Sequence, residues 1–424
     1  MGRSHSSGLD SAMFRVFLAG QVTSNLGSSL TLLAVPLVVL HLTGSPADLG
    51  AAAAAEYLPY LLFGLPLGAY VDRWPRAATL LIVDALQSVV VLSIPLLATL
   101  GHLELGWIFL MAFVSSTLTI VHSSAEFALV PSLVAADDLV KANGRLSAAY
   151  SAATVSGPLI GVALFTFLDP VRMLWIDAAT YLVAAVSLRY VYRHVVERPR
   201  GGPSRTIRAD IRIGLQFVFG NPVLRTISLV MLATNLLVGS VVEKQIVTLA
   251  ERRFAAGNDR VALLFAVAGL GAVSFSLAAA RVGRVLGVSR TILAALFGGS
   301  LCIGAVGVLP WYAAVVVVWG IGAGLGALFS VNVNSLRQRL APPEMLGRVM
   351  TVAAVLAWSA RPLGSLAGGY AIEASGNIGA VFLVLGILQL LITVAALASP
   401  LRVADQLVAA SQPPTREPAD GHRA

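Results

Sequence analysis

Long apolar runs separated by short polar segments dominate the chain from residue 14 to residue 398. A bilayer core about 30 Å thick needs roughly 20 apolar residues for each crossing helix. Only helices or closed barrels can cross lipid, and long runs without alternation are typical of helices. The pattern therefore predicts twelve spanning helices, at residues 14–41, 47–71, 78–99, 105–130, 146–168, 172–192, 222–244, 261–281, 289–309, 312–333, 347–371 and 378–398.

Composition agrees with this pattern, because 57% of the residues are hydrophobic and only 12% are charged. Soluble domains carry about twice that charged fraction. The expected fold class is an all-α polytopic membrane protein. Its only cysteine, Cys302, lies inside an apolar run, where we expect a small buried core residue.

Most of the 29 Lys and Arg residues fall on one side of the twelve spans, the side that holds both termini. The other side receives Arg172, Lys244, Arg252, Arg253 and Arg260. Because cytoplasmic loops carry the excess of Lys and Arg, we expect cytoplasmic termini in a bacterial-type inner membrane. The net charge of +8 then reflects topology, and the scattered basic residues give no support for a nucleic-acid partner.

The longest polar interruption, residues 193–222, divides the spans into six and six. Within it Ile207, Ile211, Leu215 and Val218 recur at helical spacing between arginines, which indicates an amphipathic helix on the anionic inner leaflet. An ordinary solvated basic loop is the alternative.

Four segments follow from this division. They are an N-terminal six-helix bundle (1–193), a cytoplasmic linker with an amphipathic helix (194–221), a C-terminal six-helix bundle (222–400) and a disordered cytoplasmic tail (401–424). The tail is assigned from its polar, Pro-rich composition.

A similar order of residues occurs once in each half. A Gly-Arg pair at 144–145 or 347–348 opens a span, and a Pro-Leu pair at 158–159 or 362–363 lies further along it. Internal repeats are common in polytopic transporters. We therefore expect two pseudo-symmetric halves.

Several short motifs extend along almost the whole chain. They are LAGQVTSNLGSSL at 18–30, TGSPADLG at 43–50, GAYVDRWPR at 68–76, GPLIG at 157–161 and DAATYLVAAVSLRYV at 177–191. Together they resemble the major facilitator superfamily, and within it the drug:proton antiporter branch with macrolide-efflux and siderophore-export proteins. The resemblance implies two six-helix bundles and proton-coupled efflux by alternating access. With 7% aromatic residues and few fixed charges near mid-membrane, we expect a moderately hydrophobic small molecule as the substrate, such as a drug, a macrolide-like compound or a siderophore.

The resemblance assigns a cytoplasmic gate motif to Gly68, Asp72, Arg73 and Arg76. It also places spans two and eleven side by side. A carboxylate at a helix N-terminus is favourable, so Asp72 would hold the cytoplasmic ends of these spans together. In the alternative interpretation, these charges only set topology.

Charges inside the spans are rare and are candidates for function. Glu56 in span two and Arg361 in span eleven reach a similar depth, so they could form an ion pair while the outer side is closed. Alternatively, Glu56 is solvated and Arg361 bonds to carbonyls freed by Pro362. An ion pair that competes with the Asp72 contact would supply the two states that alternating access needs.

Further candidates for coupling are the acidic residues Asp177 in span six and Asp84 in span three. His122 and Glu126 lie at i and i+4 in span four, which makes a proton relay conceivable. Ordinary hydrogen bonds between helices are the alternative for this pair.

The resemblance places the substrate at mid-membrane between spans one, four, seven and ten. Uncharged polar residues of these spans are candidate lining groups, namely Gln21, Asn25, Ser116, Thr119, Thr234, Asn235 and Asn332. Each could instead bond a neighbouring helix. The exporter-type motif corresponds to Gly157, Pro158 and Gly161, followed by Val162 where exporters usually have Gly.

No spacing typical of a phosphate loop, a zinc site or a nucleophile elbow occurs. We therefore expect no enzyme, no cofactor and no metal site, and as partners a small-molecule substrate, protons and the lipid bilayer, with a monomeric chain. Ser28 stands where the family commonly has an acidic residue. A transport-inactive sensor or scaffold with the same fold is the alternative function.

Overall fold

The structure is a computed structural model, and it describes residues 12–71, 74–135, 138–165, 167–195, 207–342 and 345–406. Helices form most of this part of the chain. They are α1 (Ala12–Thr43), α2 (Pro46–Val71), α3 (Arg76–Thr99), α4 (Leu105–Leu133), α5 (Leu139–Leu164), α6 (Pro170–His194), α7 (Ile207–Gly220), α8 (Pro222–Thr234), α9 (Ser240–Phe254), α10 (Asn258–Leu286), α11 (Val288–Val308), α12 (Tyr312–Leu340), α13 (Leu346–Ser359), α14 (Arg361–Ser375) and α15 (Ile378–Leu397). A π-helical segment, Asn235–Gly239, joins α8 to α9.

Ten continuous helical stretches among the described residues are long and apolar enough to cross a membrane. Two further stretches complete the twelve predicted spans. Helix α2 has 26 residues and is therefore about 39 Å long, while α13 and α14, of 14 and 15 residues, follow each other with only Ala360 between them. The predicted polytopic helical fold is confirmed.

The helices pack into two groups that meet along a seam. In the first half α6 packs on α1 and α3, and α4 packs on α2 and α3; in the second half α12 packs on α10 and α11, and α11 packs on α15. Helix α14 of the second half packs along α2, and α10 packs along α5. These two helix pairs form the seam between the halves.

The seventh span is longer than the sequence predicts. Helices α8 and α9, with the π-helical segment between them, run from Pro222 to Phe254, whereas the predicted span ends at residue 244. The helix stops where Ala255 adopts a left-handed conformation with φ of 47°. Lys244, predicted to lie on the outer side as the last residue of its span, therefore lies well inside the span and is buried.

Helices α2 and α14 approach each other most closely near their outer ends, meaning the end of the molecule that holds the α1–α2 connection. A Cβ atom on Gly369 would lie 2.6 Å from the Pro46 carbonyl oxygen, and one on Gly50 would lie 2.5 Å from that of Ser365. Because real Cβ atoms do not approach backbone so closely, only glycine fits at both positions.

Helix α7 lies within the segment assigned to the linker, and it packs on other helices of the protein. Val218 is buried in a cluster with Leu224 of α8 and with Val349 and Val352 of α13. The apolar side at Val218 thus contacts α8 and α13, whereas the sequence predicted contact with the lipid leaflet. The side chains of Ile207 and Ile211 are outside the described part.

The first residues of the predicted disordered tail are ordered. Leu401 and Ala404 are fully buried. The Asp405 carboxylate accepts a hydrogen bond of 3.0 Å from the Ser289 backbone N–H at the start of α11. Packing against α8 and α11 outweighs the polar composition here, and residues 407–424 lie outside the described residues.

Candidate functional site

A cavity of about 280 Å³ lies at the seam and is lined by both halves of the chain. We call it the seam cavity. The first half contributes residues of α1, α2, α3, α4 and α6, and the second half contributes Glu243, Lys244 and Trp358. A ligand in this cavity would touch both halves at once.

Four charged side chains of α2, α9 and α14 form two ion pairs beside the seam cavity. Lys244 Nζ lies 2.9 Å from Glu56 Oε2, and Arg361 Nη1 lies 3.0 Å from Glu243 Oε2. The two cations are largely buried, with side-chain exposures of 6% and 15%, while the two carboxylates are 38% and 40% exposed. The carboxylates are therefore the more accessible members of both pairs.

Arg361 is held by three other helical segments. Its guanidinium donates hydrogen bonds of 2.8 Å to Asn235 Oδ1, 2.9 Å to the Tyr57 hydroxyl and 3.0 Å to Glu243 Oε2. The guanidinium carbon also lies 4.2 Å from the centroid of the Trp358 ring, a cation–π contact. The planar guanidinium group of Arg has several hydrogen-bond donors in fixed directions and can stack on an aromatic ring. The single ammonium group of Lys could not make the same set of contacts.

The predicted ion pair between Glu56 and Arg361 is wrong for this conformation. Glu56 pairs with Lys244, which links the two halves, and Arg361 pairs with Glu243, which lies in its own half. Glu243 and Lys244 are adjacent residues of α9, and the packing of this helix brings Lys244 to Glu56 and Glu243 to Arg361.

Aromatic rings line the same part of the seam cavity. Tyr60 and Trp358 stack with ring centroids 5.2 Å apart, and Tyr57 contacts Trp358 with centroids 5.9 Å apart. Tyr57 and Tyr60 come from the first half, whereas Trp358 comes from the second. These rings provide an apolar surface next to accessible carboxylates.

The outer end of the seam is closed by contacts with the α1–α2 connection. Gln245 donates a 2.8 Å hydrogen bond to the Pro46 carbonyl, and Arg252 donates to the Gly44 carbonyl. Glu373 of α14 accepts bonds of 2.6 Å from the Ser45 hydroxyl and 3.1 Å from the Ala47 N–H. Both α9 and α14 of the second half are thus bonded to the first half at this end.

A second cavity, of about 300 Å³, lies within the second half, among α8–α9, α11, α12 and α15. We call it the C-terminal cavity. It is lined mainly by apolar side chains, and Glu243 and Arg361 are its charged lining residues. Glu243 lines both cavities, so the ion pair Glu243–Arg361 marks the place where they adjoin.

Asp177 lines the seam cavity and is buried within the first half. Its carboxylate accepts hydrogen bonds from the hydroxyls of Thr31 and Thr180. Next to it, the Ser28 and Tyr181 hydroxyls are 2.8 Å apart. Asp177 takes part in none of the ion pairs found among the described residues.

The other buried acid of the first half has a basic neighbour. Asp84 is fully buried, and its Oδ1 lies 3.2 Å from His122 Nε2 of α4. Glu126 is instead hydrogen-bonded to the Tyr150 hydroxyl of α5. His122 and Glu126 thus each contact another helix, as expected if they make ordinary contacts between helices. A proton relay between them remains a hypothesis.

The predicted pocket residues are distributed over several places. Ser116 and Thr119 line the seam cavity, Thr234 lines the C-terminal cavity and Asn235 binds Arg361. Gln21, Asn25 and Asn332 are not among the residues that line either cavity. Gln21 is fully buried, the Asn25 amide bonds back to the Gln21 carbonyl, and the Asn332 amide bonds to that of Leu328.

The predicted cytoplasmic gate motif falls largely outside the described residues, because Asp72 and Arg73 are not described. Gly68 lies in α2, and Arg76 is the buried first residue of α3. The role of this motif remains a hypothesis.

The exporter-type motif lies where α5 packs on α1. A Cβ atom on Gly157 would overlap the Ser29 side chain, and one on Gly161 would lie 2.6 Å from Leu33 Cδ1. Pro158 lies between them inside α5. The two glycines therefore allow close packing of these helices.

Sequence reasoning missed Glu243, Lys244, Tyr57 and Trp358 as site residues. A helical period in the sequence could have revealed Glu243 and Lys244. The buried polar residues Ser240, Lys244 and Thr248 are four residues apart, so the helix continues past residue 244. Cys302 is another difference, because it lines the C-terminal cavity and is only partly buried. No group of three or more metal-ligating side chains occurs among the described residues.

Known proteins resemble this chain, one of them over almost its whole length and another over less than half of it. It is 27% identical over 395 residues to the multidrug efflux pump Tap of Mycolicibacterium fortuitum, covering 91% of this chain and 95% of that pump. It is 25% identical over 178 residues to the macrolide efflux protein A of Streptococcus pyogenes, covering 42% of this chain and 44% of that protein. The transport activities in these names are those of the two relatives.

Solved structures show the same fold. The crystal structure of the nucleoside transporter NupG (D323A mutant) superposes with a TM-score of 0.73 at 13% identity, covering 91% of this chain and 99% of that one. The family model described as Major Facilitator Superfamily matches residues 17–365. With two helical halves around a shared cavity, the chain belongs to the major facilitator superfamily and is a multi-pass membrane transporter rather than an enzyme.

Proposed function

We propose that this chain exports a moderately hydrophobic small molecule in exchange for protons, by alternating access at the seam cavity. The observation that carries the proposal is a cavity lined by both halves whose outer end is closed by bonds between them. The names of the relatives, a multidrug pump and a macrolide efflux protein, support export.

Alternating access requires contacts that exist in only one of two states. Glu56–Lys244 joins α2 of the first half to α9 of the second, so separation of the halves at the outer end would break it. Glu243–Arg361 lies within the second half and would persist. At the opposite end, a contact of Asp72 with the start of span eleven remains the proposed counterpart, and Asp72 lies outside the described residues.

Asp177 is the proposed proton-exchanging group. It lines the seam cavity, and its carboxylate is held by the hydroxyls of Thr31 and Thr180 rather than by a cation, so a substrate in the cavity could displace its proton. Asp84 is already next to His122 and does not line the cavity. Acidic side chains inside transporters often serve as proton carriers.

The proposal also includes an inner-membrane location with both termini in the cytoplasm and a monomeric chain. The excess of Lys and Arg on the side of the termini supports this orientation. Both cavities are built from one chain, so a second copy is not needed to complete either of them.

Accumulation of ethidium and erythromycin in cells with and without this chain tests the function. We expect lower accumulation in cells that contain the chain, a return to control values with a proton uncoupler, and loss of export in Asp177→Asn. Lys141→Gln, an exposed position, is the matched control and should export normally.

Two results would contradict the proposal in different ways. Export that continues unchanged with the uncoupler would reject proton exchange. If neither these compounds nor a wider panel of hydrophobic compounds is exported, a transport-inactive sensor or scaffold becomes the better interpretation.

A further inference from the structure

The C-terminal cavity is built from one half of the chain and is almost entirely apolar. Side chains of α9, α11, α12 and α15 line it, including Val242, Leu296, Ile303, Phe329 and Phe382. Its volume of about 300 Å³ is at the lower limit for small-molecule sites. The space is thus suited to a compact apolar group.

Two polar atoms of the lining residues lack a hydrogen-bond partner among the residues that the structure describes. Trp319 Nε1 and Gln389 Oε1 are both buried, and neither makes a hydrogen bond within the described part of the chain. Gln389 is only 3% exposed, and its amide nitrogen donates a 3.3 Å bond to the Thr234 hydroxyl, which fixes the amide. Leaving a buried donor and a buried acceptor without hydrogen bonds costs free energy. A ligand that hydrogen-bonds to both atoms would remove this cost and bind more tightly.

The two charged residues that line the cavity, Glu243 and Arg361, do not favour an ionic ligand. Arg361 and Glu243 neutralise each other across 3.0 Å, and the remaining lining residues carry no charge. Moving an unpaired charge into such a space would be costly. The complementary ligand is therefore uncharged.

We propose that the C-terminal cavity is a second ligand site, which binds an uncharged apolar group bearing an acceptor for Trp319 and a donor for Gln389. A primary amide on an aromatic body has this chemistry. The inference deepens the proposed function by naming a substrate class, namely molecules with such a neutral group, and its relevance to export rests on that function.

Cys302 supplies a reporter for this site because it lines the cavity and is the only cysteine of the chain. The full chain, purified in detergent, is treated with N-ethylmaleimide, and alkylation of Cys302 is followed by intact-protein mass spectrometry. We expect 2-naphthamide to slow alkylation. At equal concentration, 2-methylnaphthalene, which lacks the amide, and 2-naphthoate, which is charged, should slow it much less.

Substitutions of the two polar residues test the proposed contacts directly. Trp319→Phe and Gln389→Leu should each raise the concentration of 2-naphthamide needed for half-protection by about five-fold, the size of one net hydrogen bond. Trp311→Phe, at a tryptophan 71% exposed outside the cavity, should leave it unchanged. Unaltered far-UV circular dichroism establishes that each variant is folded.

Equal protection by 2-naphthamide and 2-methylnaphthalene would overturn the proposal, and so would an absence of protection by either. The assay needs no transport. A chain that fails to export can still show protection, so failure of the second site and failure of the proposed function are distinguishable.

Discussion

The ion pair between Glu56 and Lys244 lies at the seam, with its two members in different environments. Lys244 is almost fully buried, whereas the Glu56 side chain is 38% exposed toward the cavity. Removing one partner of a buried pair leaves the other charge uncompensated, which typically costs about 3–5 kcal/mol. Because the carboxylate is partly exposed, we place the cost for this pair at the lower end.

Reversal of both charges should therefore be tolerated better than reversal of either one. We expect Glu56→Lys and Lys244→Glu each to lose most transport, since each brings two like charges together at a 2.9 Å contact. The double variant should recover a measurable fraction of transport. Initial rates of export in cells with equal amounts of each variant provide the measurement.

The control for the Glu56–Lys244 exchange is a second charge exchange, in which Arg361→Glu is combined with Glu56→Arg. These two positions are not paired in the structure, so that exchange should give no recovery. Recovery there, without recovery in the Glu56–Lys244 exchange, would show that the pairing described here is not the functional one.

Sequence reasoning located the charged residues of the first half and Arg361 but not their partners. Residue spacing along a helix gives depth in the membrane, at about 1.5 Å for each residue. It does not give the rotation of one helix relative to another, so Glu56 and Arg361 could be matched in depth and still bind different residues. The same limit applies to Gln21 and Asn332, which line neither the seam cavity nor the C-terminal cavity.

At the scale of elements, the number of spans could be predicted because lipid imposes a minimum apolar length. The end of the seventh span could not. The segment from Glu243 to Phe254 contains five charged residues, yet it remains helical because its charged and amide groups bond to α2 and α14, and Arg252 bonds to Gly44 of the α1–α2 connection. Tertiary contacts here outweigh the polar composition.

The contact of α2 with α14 gives a prediction at this scale. A Cβ atom on Gly369 would clash with the Pro46 carbonyl at 2.6 Å and crowd Gly50. Overpacking of this kind costs about 1–3 kcal/mol. We therefore expect Gly369→Ala to lower the thermal unfolding midpoint and to weaken closure of the outer end.

The measurement is the reaction of Cys at position 47, introduced into Cys302→Ala protein, with a membrane-impermeant maleimide added from outside. Gly369→Ala should increase the rate of this reaction. Gly106→Ala is the matched control, because a Cβ atom there would meet no other atom within 4 Å. An unchanged rate in Gly369→Ala would show that the close approach does not maintain closure.

At the scale of the whole molecule, export requires the two halves to separate at the outer end. Ser45 of the first half and Glu373 of the second are hydrogen-bonded there over 2.6 Å. Replacing both with Cys in Cys302→Ala protein and joining them with a short bis-methanethiosulfonate, which forms a reducible disulfide to each Cys and releases methanesulfinate, should stop transport. Reduction of the cross-link should restore it.

Each single-cysteine protein, treated with the same reagent, is the control and should continue to transport. Full transport by the cross-linked protein would contradict alternating access through the outer end of this seam. Gel mobility before and after reduction gives the cross-linked fraction.

The motifs, the repeat and the apolar runs together allowed the two-half architecture to be predicted. The C-terminal cavity could not be, because its lining comes from positions as far apart as Thr234 and Gln389 and its partly buried Cys302 resembles any core residue in sequence. Such a cavity arises from how α8–α9, α11, α12 and α15 pack around one another. Hydropathy does not contain that information.

Glu243 borders both the seam cavity and the C-terminal cavity, and this shared border affects how two compounds would act together. Ligands that fill different cavities would occupy the chain at the same time and influence each other through one carboxylate. Inhibition kinetics between such compounds would then be mixed, with a finite rate at saturating inhibitor, and pairs of weak inhibitors could be more than additive.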